Sequence, residues 1–145
     1  MDRFYVFFLV AALLMVPSLP AQCASFEDDD ASLYARTLLE QINNYRSANG
    51  LPSLRFDDRL NHLAMTHSFA MSRQKRMSHA NFDERFQRSG SRMCVENVGW
   101  NYPTPLKLFD GWRHSSGHDE NMLKEGVRYV GIAGVGKYVT FFACQ

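Results

Sequence analysis

The sequence carries little net charge and none of the motifs of a nucleic-acid-binding protein. Its 16 Lys and Arg residues stand against 15 Asp and Glu residues, which leaves a formal charge of +1. Basic residues cluster between Arg73 and Arg92, but Asp83 and Glu84 interrupt the cluster and no aromatic platform accompanies it. Such a run is typical of a solvated face, so we expect no nucleic-acid partner. Internal repeats are missing as well, which excludes repeat architectures.

Long apolar runs are absent except near the N-terminus. The run Phe4–Val16 has about 13 residues, fewer than the roughly 20 that a membrane-spanning helix needs. It follows a short charged start and precedes small residues up to Cys23, so residues 1-23 are predicted to be a cleaved signal peptide. Because Asp2 offsets Arg3, an uncleaved membrane anchor is the competing interpretation. Cleavage predicts a secreted protein, extracellular or periplasmic, with no stable membrane span.

Cysteine is scarce, with three in the whole chain. Cleavage after Cys23 leaves Cys94 and Cys144, and two cysteines in an exported domain most simply form one disulfide. Closing so long a loop would contribute about 3 to 5 kcal/mol to stability. The alternative is a pair of free buried thiols.

The sequence does contain amphipathic helices followed by strands. An acidic tether at 24-32 precedes a domain at 33-145, and Asp30 or Ser32 can cap the first helix. Gly136-Lys137 is predicted to be the two-residue loop of a hairpin. Four helices are predicted: one that ends at Asn49-Gly50, one that starts after Asp57, one over about Asn81–Arg88, and one from Thr104-Pro105 to Ser116-Gly117. A further helical turn is predicted at Glu120–Leu123. The predicted strands are Cys94–Trp100, Tyr129–Val135 and Tyr138–Cys144.

This order of elements predicts an α+β domain. Helices come first and strands come late, so the sheet is expected to be small and mainly antiparallel. Each element has to bury an apolar face, and we therefore expect helices on both faces of the sheet.

Glu96 is the most informative polar residue because it lies in an otherwise apolar strand. A buried carboxylate must find donors, a cation or a proton. The alternative is that Glu96 satisfies backbone amides only. His79 is predicted at a loop-to-helix junction and His118 directly after a helix, both positions from which side chains reach a site. His67 lies on the apolar stripe of the second helix, which favours a hydrogen-bonded core residue over a ligand.

Several short motifs occur in a specific order. They are Asn44-Tyr45-Arg46, Asn49-Gly50-Leu51, His79, Glu96-Asn97-Val98, Trp112, Gly117-His118, Asn121-Met122-Leu123, and a Tyr-x-Thr-x-Phe strand from Tyr138 to Phe142. Together they resemble the CAP superfamily, which includes cysteine-rich secretory proteins, venom antigens and plant pathogenesis-related proteins. The resemblance extends from about Leu33 to Cys144, and it is greatest to the compact bacterial members.

The resemblance implies a three-layer α-β-α sandwich, the SCP-like fold, with a central cavity lined by a His-Glu-Glu-His tetrad. By position, His79 is the first histidine, Glu96 the first glutamate and His118 the last histidine. The second glutamate would stand three residues after Trp112, where this chain has Ser115. The tetrad is therefore reduced to a triad.

The residue types of this triad allow several kinds of chemistry. Two imidazoles and a carboxylate are the ligands of an open zinc site, and the family resemblance implies binding of zinc or other divalent ions at the histidines. The spacing of His79, Glu96 and His118 does not by itself specify a metal, so we expect a weakly held divalent ion and no required cofactor. The alternative is a hydrogen-bond network that joins strand, loop and helix.

Hydrolysis by a nucleophile is less favoured by the sequence. Both cysteines of the domain are predicted to form the disulfide, and Ser115 and Ser116 lie in no nucleophile elbow. Glu96 is the one acid-base candidate, without a second catalytic carboxylate.

We therefore expect a secreted binding module. The resemblance implies a lipid, sterol or peptide as its ligand. The alternatives are a metal-dependent hydrolase that uses the same triad, and an extracellular effector that binds another protein by its surface.

Overall fold

The computed structural model describes the backbone from residue 26 to 145 and the side chains from residue 32 onward. The predicted signal peptide at 1-23, including Cys23, lies outside the described residues. In the described part, no helix is both long enough and apolar enough to cross a membrane.

Five helices and four strands form the described part of the chain. The helices are α1 (Phe26–Ala48), α2 (Asp58–Gln74), α3 (Phe82–Ser89), α4 (Pro105–Arg113) and α5 (Ser116–Met122). The strands are β1 (Arg55–Phe56), β2 (Cys94–Trp100), β3 (Tyr129–Val135) and β4 (Tyr138–Cys144). They form one sheet in the order β1-β3-β4-β2, in which only the short β1–β3 pairing is parallel. The predicted α+β class with a mainly antiparallel sheet is confirmed.

The sheet buries both faces, as the α-β-α sandwich requires. Successive residues of a strand point to opposite faces. Phe141 and Ala143 of β4 belong to the core that includes side chains of α1 and α4, whereas Phe142 and Cys144 pack with Leu60 and other residues of α2. Helices therefore cover the sheet on both sides.

Three features differ from the prediction. Helix α1 begins at Phe26, inside the stretch expected to be a tether; four consecutive acidic residues in the sequence there favour a helix N-terminus. Helix α4 ends at Arg113, and α5 starts after Ser115, which has extended backbone angles and is a favoured residue type for a helix start. Strand β1 was missed because two residues are too few to show a pattern.

Arg46 connects the ends of two helices across the core. It is fully buried and donates from Nε to the Pro52 carbonyl, and from Nη1 to the carbonyls of Met122 and Lys124. The carbonyl of Met122, the last residue of α5, and that of Lys124 just beyond it are thus satisfied by a cation from α1. This contact places α5, which carries His118, against the rest of the domain.

Gly131 lets α2 lie directly on β3. A Cβ atom at Gly131 would meet the backbone of Leu60, whereas one at Gly134 would have its nearest neighbour at 3.6 Å. Gly131→Ala is therefore expected to lower the free energy of unfolding by about 2 to 3 kcal/mol, because helix backbone cannot yield as a side chain can.

Gly134→Ala in the same strand is the matched control, with an expected change within about 0.5 kcal/mol. Urea unfolding of both variants measures the difference. Equal stability losses in the two variants would contradict the close contact between α2 and β3.

Candidate functional site

One buried carboxylate organises the candidate site. Glu96 lies in the middle of β2 and is 4% exposed. Arg85 donates from Nε to Oε2 and from Nη2 to Oε1, both at 2.8 Å, and His79 Nδ1 lies 2.9 Å from Oε1. Burial alone would raise the pKa of Glu96, but hydrogen bonds from His79 and Arg85 hold that pKa below its usual value. The carboxylate is ionised, and both of its oxygens are bonded.

Arg85 is the site residue that sequence reasoning missed. It belongs to the basic run Arg73–Arg92, for which a solvated face was expected, yet it is 7% exposed. The expectation was wrong for Arg85 because α3 turns one face inward: Phe82, Arg85 and Phe86 recur at i, i+3 and i+4, and Phe82 packs on the sheet. An arginine flanked by two phenylalanines at helical spacing was the available signal.

His79 is the exposed member of the cluster. Its side chain is 53% exposed and lies in the loop before α3, where the sequence placed it. Because an ionised carboxylate can only accept, Nδ1 must carry the proton in the hydrogen bond to Glu96. In the neutral ring, Nε2 is then left as an acceptor or metal ligand.

His67 is a buried core residue, as its place on the apolar stripe predicted. It is 5% exposed, and its Nε2 lies 2.8 Å from the Ser78 carbonyl and 3.8 Å from Glu96 Oε1. Burial lowers the pKa of His67 and outweighs the Glu96 carboxylate, which acts in the opposite direction. Through its hydrogen bond to the Ser78 carbonyl, His67 holds the loop that carries His79.

His118 lies in the first turn of α5, not after a helix as expected, because α5 includes Gly117. Its ring centroid is 6.3 Å from that of Trp112. Burial, and next the positive charge that His79 can carry, lowers the pKa of His118. Ser115, at the place of the missing glutamate, precedes α5 and contributes no acid. Both effects disfavour the protonated form, so His118 is biased toward its neutral form.

Two asparagines fix α5 to the strand that carries Glu96. Asn97 Nδ2 donates to the His118 carbonyl at 2.9 Å, and Asn121 Nδ2 donates to the Glu96 carbonyl and to Asn97 Oδ1 at 3.0 and 2.9 Å. Trp112 Nε1 donates to the carbonyl of Val98, two residues after Glu96 in the same strand. These bonds cover the outer edge of β2 and set the position of His118 relative to Glu96.

The cluster does not fit an obligatory zinc centre. Among the residues that the structure describes, no three His, Cys, Asp or Glu side chains are grouped so that they could hold one ion. Zinc centres use at least three protein ligands, and here Arg85 already binds Glu96. The geometry assigns Glu96 to the orientation of His79, as outer carboxylates orient histidines elsewhere.

Acid should destabilise this cluster in two pH windows. The pKa values of His67 and of His118 are lowered from 6.5 in the folded protein. Below about pH 6.5 the unfolded chain therefore binds more protons than the folded protein does, and the free energy of unfolding falls. The pKa of Glu96 is lowered from 4.5, so its contribution is present above about pH 4.5 and is lost as the pH falls through the folded-state value.

Urea unfolding between neutral and acidic pH measures this loss. We expect a smaller loss of stability in His67→Gln than in the wild type as the pH falls below 6.5. His62→Gln, at an exposed position of the same helix, is the control and should follow the wild type. An identical pH profile in all three proteins would refute the assignment of this window to His67.

Two grooves of the described part lie away from the cluster. One, of about 730 Å³, lies between the loop at 101–103 and α4, and the other, of about 390 Å³, lies between α1, α2 and β3. Neither is lined by His79, Glu96 or His118.

Solved structures share this fold. An extracellular protein containing a SCP domain from Bacillus anthracis str. Ames superposes with a TM-score of 0.74 at 24% identity, over 79% of this chain and 41% of that one. A cysteine-rich secretory protein from Staphylococcus aureus subsp. aureus Mu50 gives 0.73 at 17% identity, over 81% of this chain and 40% of that one. An outer surface protein from Borrelia burgdorferi gives 0.74 at 15% identity, over 80% and 95%. This chain thus spans about two fifths of the first two.

A family model decides the relationship. No curated protein sequence matches the chain significantly. The model of the CAP family, described as the cysteine-rich secretory protein family, matches residues 39–145, which is well over half of the chain. The match includes β2 with Glu96, the loop with His79 and helix α5 with His118. The chain therefore belongs to the CAP, or cysteine-rich secretory protein, family.

Proposed function

We propose that the protein is an extracellular binding domain, not an enzyme, and that His79 and His118 contact its ligand. The observation that carries this proposal is the state of Glu96, whose two oxygens are bonded by Arg85 and His79. A general base must be able to take up a proton. The hydrogen bonds that lower the pKa of Glu96 work against that, so Glu96 serves to orient His79.

The two histidines set the class of ligand. A neutral imidazole with Nδ1 bonded to Glu96 offers Nε2 as an acceptor, and the lowered pKa of His118 favours the same form. Three classes of ligand suit these acceptors. They are a peptide, a lipid or sterol with a polar head that donates hydrogen bonds, and a divalent ion held weakly by two imidazoles. The Cys94–Cys144 disulfide and the extracellular or surface neighbours support export.

A metal-dependent hydrolase is the second candidate, and the His79–Glu96 pair favours it. A carboxylate bonded to Nδ1 of a histidine is the arrangement that orients a catalytic base. In a hydrolase of this kind, Glu96→Gln would abolish turnover of ester or peptide substrates while the protein stays folded. Unchanged turnover would eliminate that role.

Zinc is the probe that tests the proposed contact residues. Calorimetric titration of the disulfide-intact protein should give weak binding that is lost in His79→Ala and in His118→Ala. His62→Ala and His114→Ala, at exposed positions outside the cluster, are the matched controls and should bind as the wild type does. Glu96→Gln should weaken binding by about 10- to 100-fold, because it removes the group that orients His79.

The outcomes separate the candidates. Binding that survives in both alanine variants would overturn the assignment of His79 and His118. Absence of zinc binding in the wild type would exclude the metal and direct the test to lipid vesicles and peptides with the same variants. If the His79 and His118 variants lose thermal stability and binding of a protein partner together, an effector with a structural cavity would be favoured instead.

A further inference from the structure

We propose that one end of this domain docks on the surface of an anionic lipid bilayer. This end, which we call the hairpin end, consists of residues 69–77, 100–110 and 136–137. It contains the β3–β4 turn, the last turns of α2 with the segment that follows, and the connection from β2 into α4. The proposal is independent of the ligand of His79 and His118.

Three contacts bring these segments to the same end of the molecule. Helix α2 runs along β3 in the same direction: its Leu60 lies over Gly131, and Ser72 Oγ lies 3.5 Å from the position of a Cβ at Gly136. The backbone N–H of Asn101 donates to the Lys137 carbonyl at 2.8 Å. The C-terminus of α2, the hairpin turn and the residues after β2 are therefore neighbours.

The hairpin end concentrates the exposed apolar side chains of the domain. Nine large hydrophobic residues of the described part are exposed, and five of them lie in these three segments. A folded monomer rarely exposes several such side chains together unless they meet a partner or a membrane. Tryptophan and tyrosine are favoured at the level of lipid headgroups. The five residues are Phe69, Met77, Trp100, Tyr102 and Leu106.

Exposed cations accompany these side chains. The three segments contain five Lys or Arg residues and one carboxylate, Asp110, so together they carry a charge of +4 on a chain with a net charge of +1. None of the five forms an ion pair with a carboxylate of the described residues. Cations interspersed with exposed aromatic and aliphatic groups match an anionic bilayer, whose headgroups attract the charge while its interface accepts the apolar groups. The five are Arg73, Lys75, Arg76, Lys107 and Lys137.

Vesicle binding of the exported, disulfide-intact protein tests the proposal. We expect sedimentation with vesicles of phosphatidylcholine and phosphatidylserine but not with vesicles of phosphatidylcholine alone. The triple variant Arg76→Ala, Lys107→Ala, Lys137→Ala should bind about 100-fold more weakly, since each cation near an anionic surface is worth about fivefold. The matched control removes three exposed cations from the opposite end: Arg92→Ala, Lys124→Ala, Arg128→Ala.

The fluorescence of Trp100 gives a second readout. Trp100 is half exposed whereas Trp112 is buried, so vesicles should shift the emission to the blue in the wild type and not in Trp100→Ser. Equal losses of binding in the two triple variants would overturn the proposal, because net charge alone would then explain binding. Binding to single-stranded DNA that equals the binding to vesicles, without the fluorescence shift, would also overturn it and assign the surface to nucleic acid.

Discussion

Arg85→Met is expected to lower the free energy of unfolding by about 3 to 5 kcal/mol, because it leaves the buried carboxylate of Glu96 without its cation. The substitution removes both 2.8 Å hydrogen bonds that Arg85 donates to Glu96. The double variant Arg85→Met, Glu96→Leu removes both charges and should be markedly more stable than Arg85→Met alone. Urea unfolding near neutral pH measures the free energy of unfolding of the wild type, the single variant and the double variant.

The control for this prediction is Arg88→Met. Arg88 lies one turn from Arg85 in sequence, but it is half exposed and lies 3.7 Å from the exposed Glu84, so its loss should cost within about 0.5 kcal/mol. Acid provides a further check. Without Arg85 the buried Glu96 should take up a proton at a higher pH, so the penalty of Arg85→Met should shrink as the pH falls. A penalty that stays constant with pH would contradict an uncompensated charge as its cause.

Removal of the disulfide is expected to lower the free energy of unfolding by about 4 kcal/mol in the chain-entropy model. Cys94 and Cys144 are directly opposite each other in β2 and β4, at a sequence separation of 50. The predicted pairing of these cysteines is thus confirmed. The double variant Cys94→Ala, Cys144→Ala is used because position 144 is fully buried, and a serine there would bury a hydroxyl group.

Reduction supplies the control for the disulfide. Dithiothreitol should destabilise the wild type by nearly as much as the double substitution does, and it should leave the double variant unchanged. Thermal and urea unfolding with and without the reductant make the comparison. If reduction leaves the wild type as stable as before, the bond does not restrict the unfolded chain in the way proposed.

Local patterns were sufficient for most of the secondary structure. The late strands Tyr129–Val135 and Tyr138–Cys144 were predicted with the observed bounds, because a Gly-Lys pair between two apolar runs is a strong hairpin signal. The end of α4 was misplaced, since Ser115 and Gly117 can each stop or start a helix. The choice between them depends on contacts of α5 with β2, such as Asn121 with Asn97.

The candidate site was predicted only in part. Glu96 was selected because a carboxylate in an apolar strand requires partners, but its main partner came from a run of cations that looked solvated. Arg85, 11 residues before Glu96, is assigned to the site only once α3 packs on the sheet. The relation between His79 and His118 likewise depends on α5, which Arg46 and the two asparagines hold in place.

The sequence by itself determined the order and type of the elements other than β1, the choice of Cys94 and Cys144 as a pair, and Glu96 as the residue in need of partners. These follow from interactions within a few residues and from counting the available groups. Only the tertiary structure decided that the ionised Glu96 is paired with Arg85. It also decided that the cations of α2 and the segment after it, of α4 and of the hairpin share one end. Both depend on which segments meet in space, and long-range packing of helices on the sheet sets that.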